Sequence, residues 1–465
     1  MSLDPSHVSA LKALLGPGGW CDDAAVMEPH LHEWRERWRG HTPLLARPDS
    51  ARVTAELVRY CARHHIAITP QGGNTGLVGG QIPHGEVLLL STRMNHIRAL
   101  DAANATITAG AGVTLAEARA AASEAGLSLP LSLASAGSAT IGGVLSTNAG
   151  GMEVLRHGSA RALCLGLEVV TAKGELWNGL KGLRKDNSGY DLKQLFIGAE
   201  GTLGVITAAV LRLSSRPDVR QSAWCALASA ENAIALLALL RARCGDAVGR
   251  FELIPQLGVE MALKNVPGNR APLAVKSPWH VLVELDLFGA PGPVLEEALA
   301  AALQEGLIDD AVLAQSEAQS ASFLRLRESL SVAQKGEGAP LKHDISVPVS
   351  AMADFISEAS RAAKALAPKC RIVAFGHVGD GNVHFDILPP SARPEDAFGE
   401  TGAAITDAVH ACALALGGSI SAEHGIGIMK THALRAQKSE VEMDMMRAVK
   451  TALDPHNIMN PRVLF

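Results

Sequence analysis

The sequence predicts an α+β protein built from more than one domain. Its 465 residues exceed the usual length of a single domain, and about three domains is the expected number. Residues 44–91 alternate strand-like and helical runs, which favours a β-α-β beginning. After Ser214 the chain changes to Ala/Leu-rich amphipathic helices separated by apolar strands. This change predicts a domain boundary near residue 215.

Individual elements follow from the period of the apolar residues. The predicted helices cover residues 51–65, 228–242, 294–305 and 438–453, and the predicted strands cover residues 66–69 and 279–287. Two further β runs within residues 371–387 are joined by a Gly-Asp-Gly-Asn turn, which is typical of a hairpin.

Composition argues against nucleic-acid binding. Lys and Arg number 42 against 47 Asp and Glu, which gives a formal net charge of -5, whereas a nucleic-acid-binding surface is normally basic. Aromatic residues make up only 4% of the chain, so a base-stacking platform is not expected either.

Cysteine usage and apolar segments bear on location. The seven cysteines are odd in number and form no Cys-x-x-Cys pair, which predicts reduced thiols in a cytoplasmic protein. The first residues lack a basic region followed by an apolar run, so no signal peptide is expected. No apolar stretch approaches the roughly 20 residues of a membrane helix, so no transmembrane segment is expected.

Three glycine-rich segments stand out in the first half of the chain. The first, Pro70–Gly80, has five glycines in eleven residues, so its backbone N–H groups can converge on an anion. It lacks a Gly-Lys-Ser/Thr ending, and no Gly-x-Gly-x-x-Gly occurs, which removes support for a P-loop or a Rossmann-type site. The other two cover residues 136–151 and 198–206. Taken alone, the first segment is also compatible with an ordinary tight loop.

Together these segments resemble the FAD-binding domain of vanillyl-alcohol-oxidase-type flavoproteins, in the branch of the D-2-hydroxyacid dehydrogenases. The resemblance runs from about residue 43 to the end. It implies an FAD-binding domain of two α/β subdomains, a substrate-binding cap domain with an antiparallel sheet and flanking helices, and a small C-terminal helical segment that closes on the flavin. With an N-terminal helical segment, the predicted domains are 1–42, 43–215, 216–420 and 421–465.

The resemblance also implies FAD as the cofactor. Relatives that bind FAD covalently often carry a histidine where this chain has Asn74, so non-covalent FAD is expected. The implied FAD contacts are Pro70, Gly72, Gly73, Asn74, Thr75, Gly76, Gly79, Gly137, Ser138, Gly142, Gly143, Asn148, Gly201, Ile206 and Asn460.

The predicted hairpin carries two histidines that suggest a metal site. A turn of this size can bring His377 and His384 to one face, and a carboxylate from another loop, for which Glu423 is the candidate, would leave one position open for substrate. A lone histidine more often only packs beside its turn, but the family pattern Gly-His-x-Gly-Asp-Gly-Asn-x-His with a later Glu-His-Gly favours a metal. Zn²⁺ is expected, and another divalent metal such as Fe(II) is left open. In the family, the residue that matches His424 is proposed as the base for the substrate hydroxyl, a role that neutral imidazole suits.

Cationic side chains suggest an anionic substrate. Residues 323–331 predict a helix that places Arg327 and Ser331 on one face, and Lys342 begins a strand-like run. These three residues match family positions that bind substrate carboxylates. Asp386 departs from the asparagine common in relatives, and an ionised carboxylate there would disfavour an anionic substrate unless it is paired with a cation.

The expected function is oxidation of a D-2-hydroxy acid, with D-2-hydroxyglutarate to 2-oxoglutarate first, by hydride transfer to flavin N5. The alternatives are D-lactate or another D-2-hydroxymonocarboxylate as substrate, a non-haem iron oxygenase built on the two histidines and Glu423, and a non-catalytic flavin-binding protein. Because the family usually passes electrons to a protein or quinone carrier, such a partner is expected. A homodimer is left open.

Overall fold

Backbone contacts divide the chain into two units in a computed structural model, which describes residues 3–465. The first unit contains the residues up to Gly150, His157–Arg216 and Glu423–Phe465, and the second contains Gly151–Arg156 and Pro217–Ala422. Helices and antiparallel sheets occur in both units, which confirms the predicted α+β class. The four predicted domain ranges stay a prediction.

Short elements make up the chain up to residue 216. The strands are β1 (Trp20–Cys21), β2 (Leu45–Ala46), β3 (Ile68–Gln71), β4 (Val87–Leu90), β5 (Ile97–Asp101), β6 (Thr106–Gly110), β7 (Leu127–Ser128), β8 (Cys164–Thr171), β9 (Leu176–Gly179), β10 (Gly204–Arg212) and β11 (Ser214–Ser215). The helices are α1 (Pro5–Leu15), α2 (Ala24–Met27), α3 (Ala51–Arg63), α4 (Leu115–Glu124), α5 (Ile141–Ser146), α6 (Val154–His157), α7 (Ala160–Leu163) and α8 (Lys193–Phe196).

Two sheets organise the first unit. In the four-stranded sheet β1-β2-β4-β3, strands β2 and β3 both run parallel to β4, and α3 connects them as the predicted β-α-β beginning requires. Helix α3 begins after Ser50, whose hydroxyl accepts a hydrogen bond from the backbone N–H of Val53. The five-stranded sheet β5-β6-β10-β8-β9 is antiparallel, and β7 pairs separately with β11.

The second unit is built on one large sheet. Its strands are β12 (Val219–Leu227), β13 (Val248–Pro255), β14 (Trp279–Leu287), β15 (Asp310–Leu313), β16 (Leu341–Ser346), β17 (Arg371–His377) and β18 (Asn382–Leu388). Its helices are α9 (Ala230–Cys244), α10 (Gln256–Asn265), α11 (Val294–Gln304), α12 (Glu317–Glu328), α13 (Leu330–Ala333), α14 (Met352–Leu366) and α15 (Thr401–Ala415). The seven strands form an antiparallel sheet in the order β15-β12-β14-β13-β17-β18-β16.

Each face of this sheet packs against helices. One face, with apolar side chains such as Phe251 and Phe385, packs against α9, α11, α14 and α15. The opposite face carries Trp224, Ile254 and Leu282, which pack with buried side chains of α10, α12 and α13. Since strand residues alternate between faces, the polar residues two positions from these apolar ones also lie on the second face.

The chain returns to the first unit after residue 422. Helices α16 (Thr431–Gln437) and α17 (Glu440–Leu453) complete the element list. Helix α17 begins with a capping box, in which the backbone N–H of Glu442 donates to Ser439 Oγ and the Glu442 carboxylate accepts from the Ser439 backbone. The four predicted helices and the strand Trp279–Leu287 have observed ends within two residues of the predicted ones.

The cysteines form no disulfide in the structure. All seven are free, and four of them are buried. Burial raises the pKa of Cys61, Cys164 and Cys225 to about 12, so these thiols stay protonated and unreactive.

Among residues 3–465, no helix combines the length and the hydropathy that crossing a bilayer requires.

The end of α17 is fixed by a buried ion pair. Lys450 Nζ donates to Asp454 Oδ2 at 2.6 Å and to the backbone carbonyls of Thr202 and Met459, both at 2.8 Å. Asp454 also accepts from the backbone N–H groups of Ile458 and Met459. The pair therefore joins the last helix to the tail that follows it and to the turn before β10.

Replacing Asp454 with asparagine should strongly destabilise the first unit. The change leaves the buried Lys450 ammonium without its anionic partner, and breaking a buried pair costs about 3–5 kcal/mol. The thermal unfolding midpoint should fall by several degrees. Asp444→Asn is the matched control, because its pair with Arg447 is exposed and should contribute less than about 1 kcal/mol. Equal midpoints for the two variants would contradict the assignment.

Candidate functional site

The first glycine-rich segment packs closely against the second. A Cβ added to Gly73 would lie 1.7 Å from the carbonyl oxygen of Ser138, and one added to Gly72 would lie 2.3 Å from Thr140 Oγ1. Both neighbours precede helix α5, whose first turn contains Gly142. The close approach of these backbones therefore requires glycine at Gly72 and Gly73.

The side-chain amide of Asn74 holds this loop in place through hydrogen bonds. Its backbone is left-handed, with φ of 53°, a conformation that asparagine tolerates better than most residues. Its Nδ2 donates to the carbonyls of Pro29 (3.0 Å) and His32 (2.8 Å), and its Oδ1 accepts from Gln81 Nε2 at 3.2 Å. The position where covalent relatives often carry histidine is thus occupied by a side chain that ties the loop to the N-terminal segment.

The third glycine segment and the C-terminal tail meet the same loop. A Cβ on Gly201, where φ is 74°, would lie 3.0 Å from Pro70 Cγ. Asn460 Nδ2 donates to the carbonyls of Gly80 (2.9 Å) and Glu200 (2.8 Å). The second and third glycine-rich segments and the C-terminal tail therefore all meet the Pro70–Gly80 loop.

The remaining predicted FAD contacts lie on or beside these segments. Gly137 and Ser138 are exposed, and no heavy atom lies within 4 Å of a Cβ added to Gly137. Asn148 follows α5 and accepts hydrogen bonds from Ser159 and from the backbone of Arg161. The other predicted contacts are Thr75, Gly76 and Gly79 in the loop, Gly142 and Gly143 in α5, and Ile206 in β10. An exposed, side-chain-free backbone beside packed glycine loops fits a bound dinucleotide such as FAD.

In the second unit, the two predicted metal histidines face each other across β17 and β18. His377 pairs in register with Asn382, and His384 pairs with Phe375, so both imidazoles lie on the same side of the hairpin. Their ring centroids are 5.6 Å apart. Gly381, with φ of 80°, allows the tight turn between the strands.

Glu252, on β13, joins His377 to Arg327. Its Oε1 lies 2.7 Å from His377 Nδ1, and its Oε2 accepts from Arg327 Nε at 2.9 Å. Burial opposes ionisation of Glu252, but His377 and Arg327 outweigh it through their charges and hydrogen bonds, and they lower its pKa to about 2. The Arg327 guanidinium also lies 4.9 Å from the centroid of the Phe375 ring.

Lys342 and Asp386 form a second, partly buried pair. They are directly opposite in the register of β16 and β18, and Lys342 Nζ lies 2.7 Å from Asp386 Oδ2. Lys342 also donates to Gln334 Oε1 at 2.8 Å. The negative charge of Asp386 is therefore paired with a cation. With that pairing, an aspartate in place of the family's asparagine is compatible with an anionic substrate.

Asp344 lies beside His384 on the same sheet. The two residues are opposite in register, and Asp344 Oδ1 is 3.7 Å from His384 Nδ1. Asp344 Oδ1 also accepts from Asn382 Nδ2 at 3.0 Å. We call the sheet face that carries Glu252, Asp344, His377, His384, Lys342 and Asp386 the polar face.

The helix predicted over residues 323–331 is present as two consecutive helices, and Ser329 between them keeps right-handed helical backbone angles (φ −68°, ψ −18°). Helix α12 ends at Glu328, Ser329 is its C-cap, and α13 restarts at Leu330. Arg327 is buried, whereas Ser331 is exposed. The Ser329 hydroxyl and backbone N–H both donate to the carbonyl of Arg325, at 2.7 and 3.0 Å, and the Ser329 carbonyl accepts from the N–H of Ala333 at 2.8 Å. The helical hydrogen bonds therefore continue through this residue.

Glu423 and His424 begin the last segment of the first unit. The loop that they start is held by Glu200, whose carboxylate accepts from the backbone N–H groups of Ile426 and Gly427, both at 2.8 Å. Burial raises the pKa of Glu200, and these hydrogen bonds oppose that shift. Glu200 thus links the third glycine segment to the loop of the predicted base.

Glu252, Asp344 and Glu200 were not among the predicted site residues. A period-2 pattern in β16 could have indicated Asp344, because it is two residues from Lys342 and so shares its face. A charged residue inside the apolar strand β13 was a weak signal for Glu252. No local pattern indicated the partners of Glu200.

Models of known protein families match two separate parts of the chain. Residues 216–464 match the family model described as FAD linked oxidases, C-terminal domain, and residues 42–179 match an FAD binding domain. The chain belongs to the FAD-linked oxidases. This membership confirms the predicted flavoprotein class, and FAD is its cofactor.

Curated relatives of this FAD-linked oxidase align over nearly its whole length. A protein of Xanthomonas citri pv. viticola named D-2-hydroxyglutarate dehydrogenase is 36% identical over 95% of this chain and 93% of the relative. A mitochondrial protein of that name from Danio rerio is 36% identical over 98% of this chain and 84% of the relative. A Stutzerimonas stutzeri protein, also of that name, is 34% identical over 99% of both chains.

Solved structures share the fold of this FAD-linked oxidase at lower identity. p-Cresol methylhydroxylase has a TM-score of 0.79 and 17% identity, with 99% of this chain and 96% of that chain covered. Alkyldihydroxyacetonephosphate synthase has a TM-score of 0.74 and 19% identity, with 99% of this chain and 85% of that chain covered. The fold of this FAD-linked oxidase therefore also occurs in enzymes with other names.

Replacing Gly73 with alanine should disrupt the glycine loop. Its Cβ would overlap the Ser138 carbonyl, and relief of such overpacking costs about 1–3 kcal/mol. The thermal midpoint of the flavin-free protein should fall, and the flavin-to-protein absorbance ratio of the purified enzyme should fall with it. Gly137→Ala is the control, because its Cβ would meet no protein atom. If both flavin-free variants unfold at the wild-type temperature, the packing account of this loop fails.

Proposed function

We propose that this FAD-linked oxidase oxidises a D-2-hydroxy acid to the 2-oxo acid, with D-2-hydroxyglutarate as the preferred substrate. The observation that carries the proposal is similarity of 34–36% over almost the entire chain to proteins named D-2-hydroxyglutarate dehydrogenase. The polar face of the second unit supports it, because it combines two imidazoles with cationic side chains suited to carboxylates.

The glycine loops would hold FAD without a covalent bond. Gly72, Gly73 and Ser138 offer backbone groups to the pyrophosphate, and Asn74, which has no nucleophilic side chain, stands where tethered relatives often have histidine. When bound, FAD supplies the electron acceptor for the substrate hydride at N5.

His377, His384 and Glu423 would hold a divalent metal, for which Zn²⁺ is the first choice. The donor set fits, because two imidazoles and one carboxylate leave a position for substrate. Chain connectivity supports Glu423: the carbonyl of Asp344, the register partner of His384, accepts from the N–H of Ala422 at 3.2 Å, and Glu423 is the next residue. When bound, the metal lowers the pKa of the substrate hydroxyl as a Lewis acid.

The remaining roles belong to protein side chains. His424 would accept the hydroxyl proton as general base, a role that imidazole commonly has in enzymes. Arg327, Ser331 and Lys342 would bind and orient the substrate carboxylates, with the arginine offering two parallel N–H donors and the lysine a single charge.

D-Lactate or another D-2-hydroxymonocarboxylate is the second candidate substrate. Both predicted cations already have acidic partners, since Arg327 pairs with Glu252 and Lys342 pairs with Asp386. The polar face therefore carries less net positive charge than the cations alone suggest, which favours a monoanion. Membership in the FAD-linked oxidases gives no support to a non-haem iron oxygenase.

Location and partners extend the proposal. Seven free cysteines are compatible with the reducing cytoplasm, where we place the enzyme. A protein or quinone carrier would take electrons from the reduced flavin, and a homodimer is compatible with this activity.

Anaerobic mixing with D-2-hydroxyglutarate should bleach the visible absorption of the bound flavin within the time of a stopped-flow or manual assay. D-Lactate should bleach it more slowly, and L-2-hydroxyglutarate should not bleach it. Prior treatment with a strong chelator should slow bleaching while leaving the oxidised spectrum intact, and added Zn²⁺ should restore the rate.

Three results separate the parts of this proposal. No bleaching by any D-2-hydroxy acid would exclude the dehydrogenase. Faster bleaching by D-lactate would favour the monocarboxylate. Full activity in a preparation shown by elemental analysis to be metal-free would remove the metal from the mechanism.

Replacing Asp386 with asparagine should lower the KM for D-2-hydroxyglutarate and change the KM for D-lactate less. The amide keeps an oxygen toward Lys342 but removes the negative charge, so Lys342 becomes available to the second carboxylate of the substrate. The effect should disappear in a Lys342→Met background. Equal loss of activity on both substrates would instead mean that Asp386 holds Lys342 in place.

A further inference from the structure

Glu252 is a buried acidic residue of the polar face. It lies on β13, directly opposite His377 on β17, and only 1% of its surface is exposed. A carboxylate buried to this extent is costly unless every oxygen is hydrogen-bonded and its charge is compensated. The two oxygens of Glu252 meet this requirement with two different residues.

One oxygen determines which nitrogen of His377 can act as a ligand. Glu252 Oε1 is 2.7 Å from His377 Nδ1, and an ionised carboxylate can only accept, so Nδ1 carries the proton. In the neutral imidazole, the lone pair is then on Nε2. A ligating histidine in proteins commonly donates its other N–H to a carboxylate in this way, which fixes both the tautomer and the ring orientation.

The other oxygen determines the orientation of Arg327. Glu252 Oε2 accepts from Arg327 Nε at 2.9 Å and lies 2.7 Å from Nη2. These two bonds fix the plane of the guanidinium, which is also packed over the Phe375 ring. The same carboxylate therefore holds a predicted metal ligand and a predicted substrate ligand.

We propose that Glu252 is a positioning residue that orients His377 for the metal and Arg327 for the substrate carboxylate. This inference rests on the proposed function and deepens it. His377 Nδ1 lies 2.7 Å from Glu252 Oε1, which is within hydrogen-bond distance.

Glu252→Gln should weaken both functions without removing a ligand. The glutamine amide has one accepting oxygen and one donating nitrogen, so it cannot accept from His377 and Arg327 together as the carboxylate does. Loss of such an outer partner typically weakens metal binding about 10- to 100-fold. We expect a zinc dissociation constant at least about ten times higher than that of the wild type, and a higher KM for D-2-hydroxyglutarate.

Glu284→Gln is the matched control. Glu284 lies on the neighbouring strand β14, is 2% exposed, and pairs with the buried Arg250. Its hydrogen-bond partners in the described chain also include Ser222 and Ser320, and none is a histidine. Removing its charge therefore perturbs a buried ion pair of the same sheet without acting on a predicted ligand.

The experiment measures zinc affinity of the FAD-loaded enzymes by competition with a chromophoric chelator at one pH, with flavin content and thermal midpoint recorded for each variant. A loss of affinity in Glu252→Gln that is absent from Glu284→Gln supports the inference. Unchanged affinity in Glu252→Gln, or an equal loss in both variants, overturns it. If Glu252→Gln does not fold, Glu252→Asp is measured instead. This variant keeps the negative charge, but its side chain is too short to contact both His377 and Arg327 as glutamate does. Unchanged zinc affinity in Glu252→Asp also overturns the inference.

A wild-type enzyme that binds no zinc at this site would contradict the proposed metal function itself. If the wild type binds zinc and Glu252→Gln binds it with the same affinity, only the positioning role is contradicted.

Discussion

The arrangement of the second unit depends on the requirement that buried charges have partners. Glu252 is buried in the large sheet, and its ionised form is stable there because His377 and Arg327 contact its two oxygens. Lys342 and Asp386 meet the same requirement on β16 and β18 at the end of the sheet. These contacts determine where the imidazoles and cations of the polar face are held, so the chemistry available there follows from how the sheet compensates its buried charges.

The first unit depends on a different constraint, the close approach of backbones. Gly72 and Gly73 bring the loop after β3 against the segment before α5, at distances that exclude any Cβ. Glu200 and Asn460 then attach the C-terminal loop and tail to the same place by accepting from and donating to backbone groups. Hydrogen bonds therefore connect the glycine-rich loop to the loop that contains His424.

Local signals predicted much of the fold, and non-local pairing explains what was missed. The hairpin with His377 and His384 was predictable because turn residues and strand period are local properties. The contact between Glu252 and His377 joins residues 125 positions apart, and only the order β13-β17 in the sheet brings them together.

The central claim is that His377 and His384 are metal ligands in a flavin-dependent dehydrogenase. X-ray diffraction from crystals of the zinc-loaded, active enzyme, collected on both sides of the zinc absorption edge, tests it most directly. The account predicts one anomalous peak about 2.0–2.1 Å from Nε2 of His377 and from a ring nitrogen of His384. An active enzyme whose only zinc peak lies elsewhere, or which shows no peak, would contradict it.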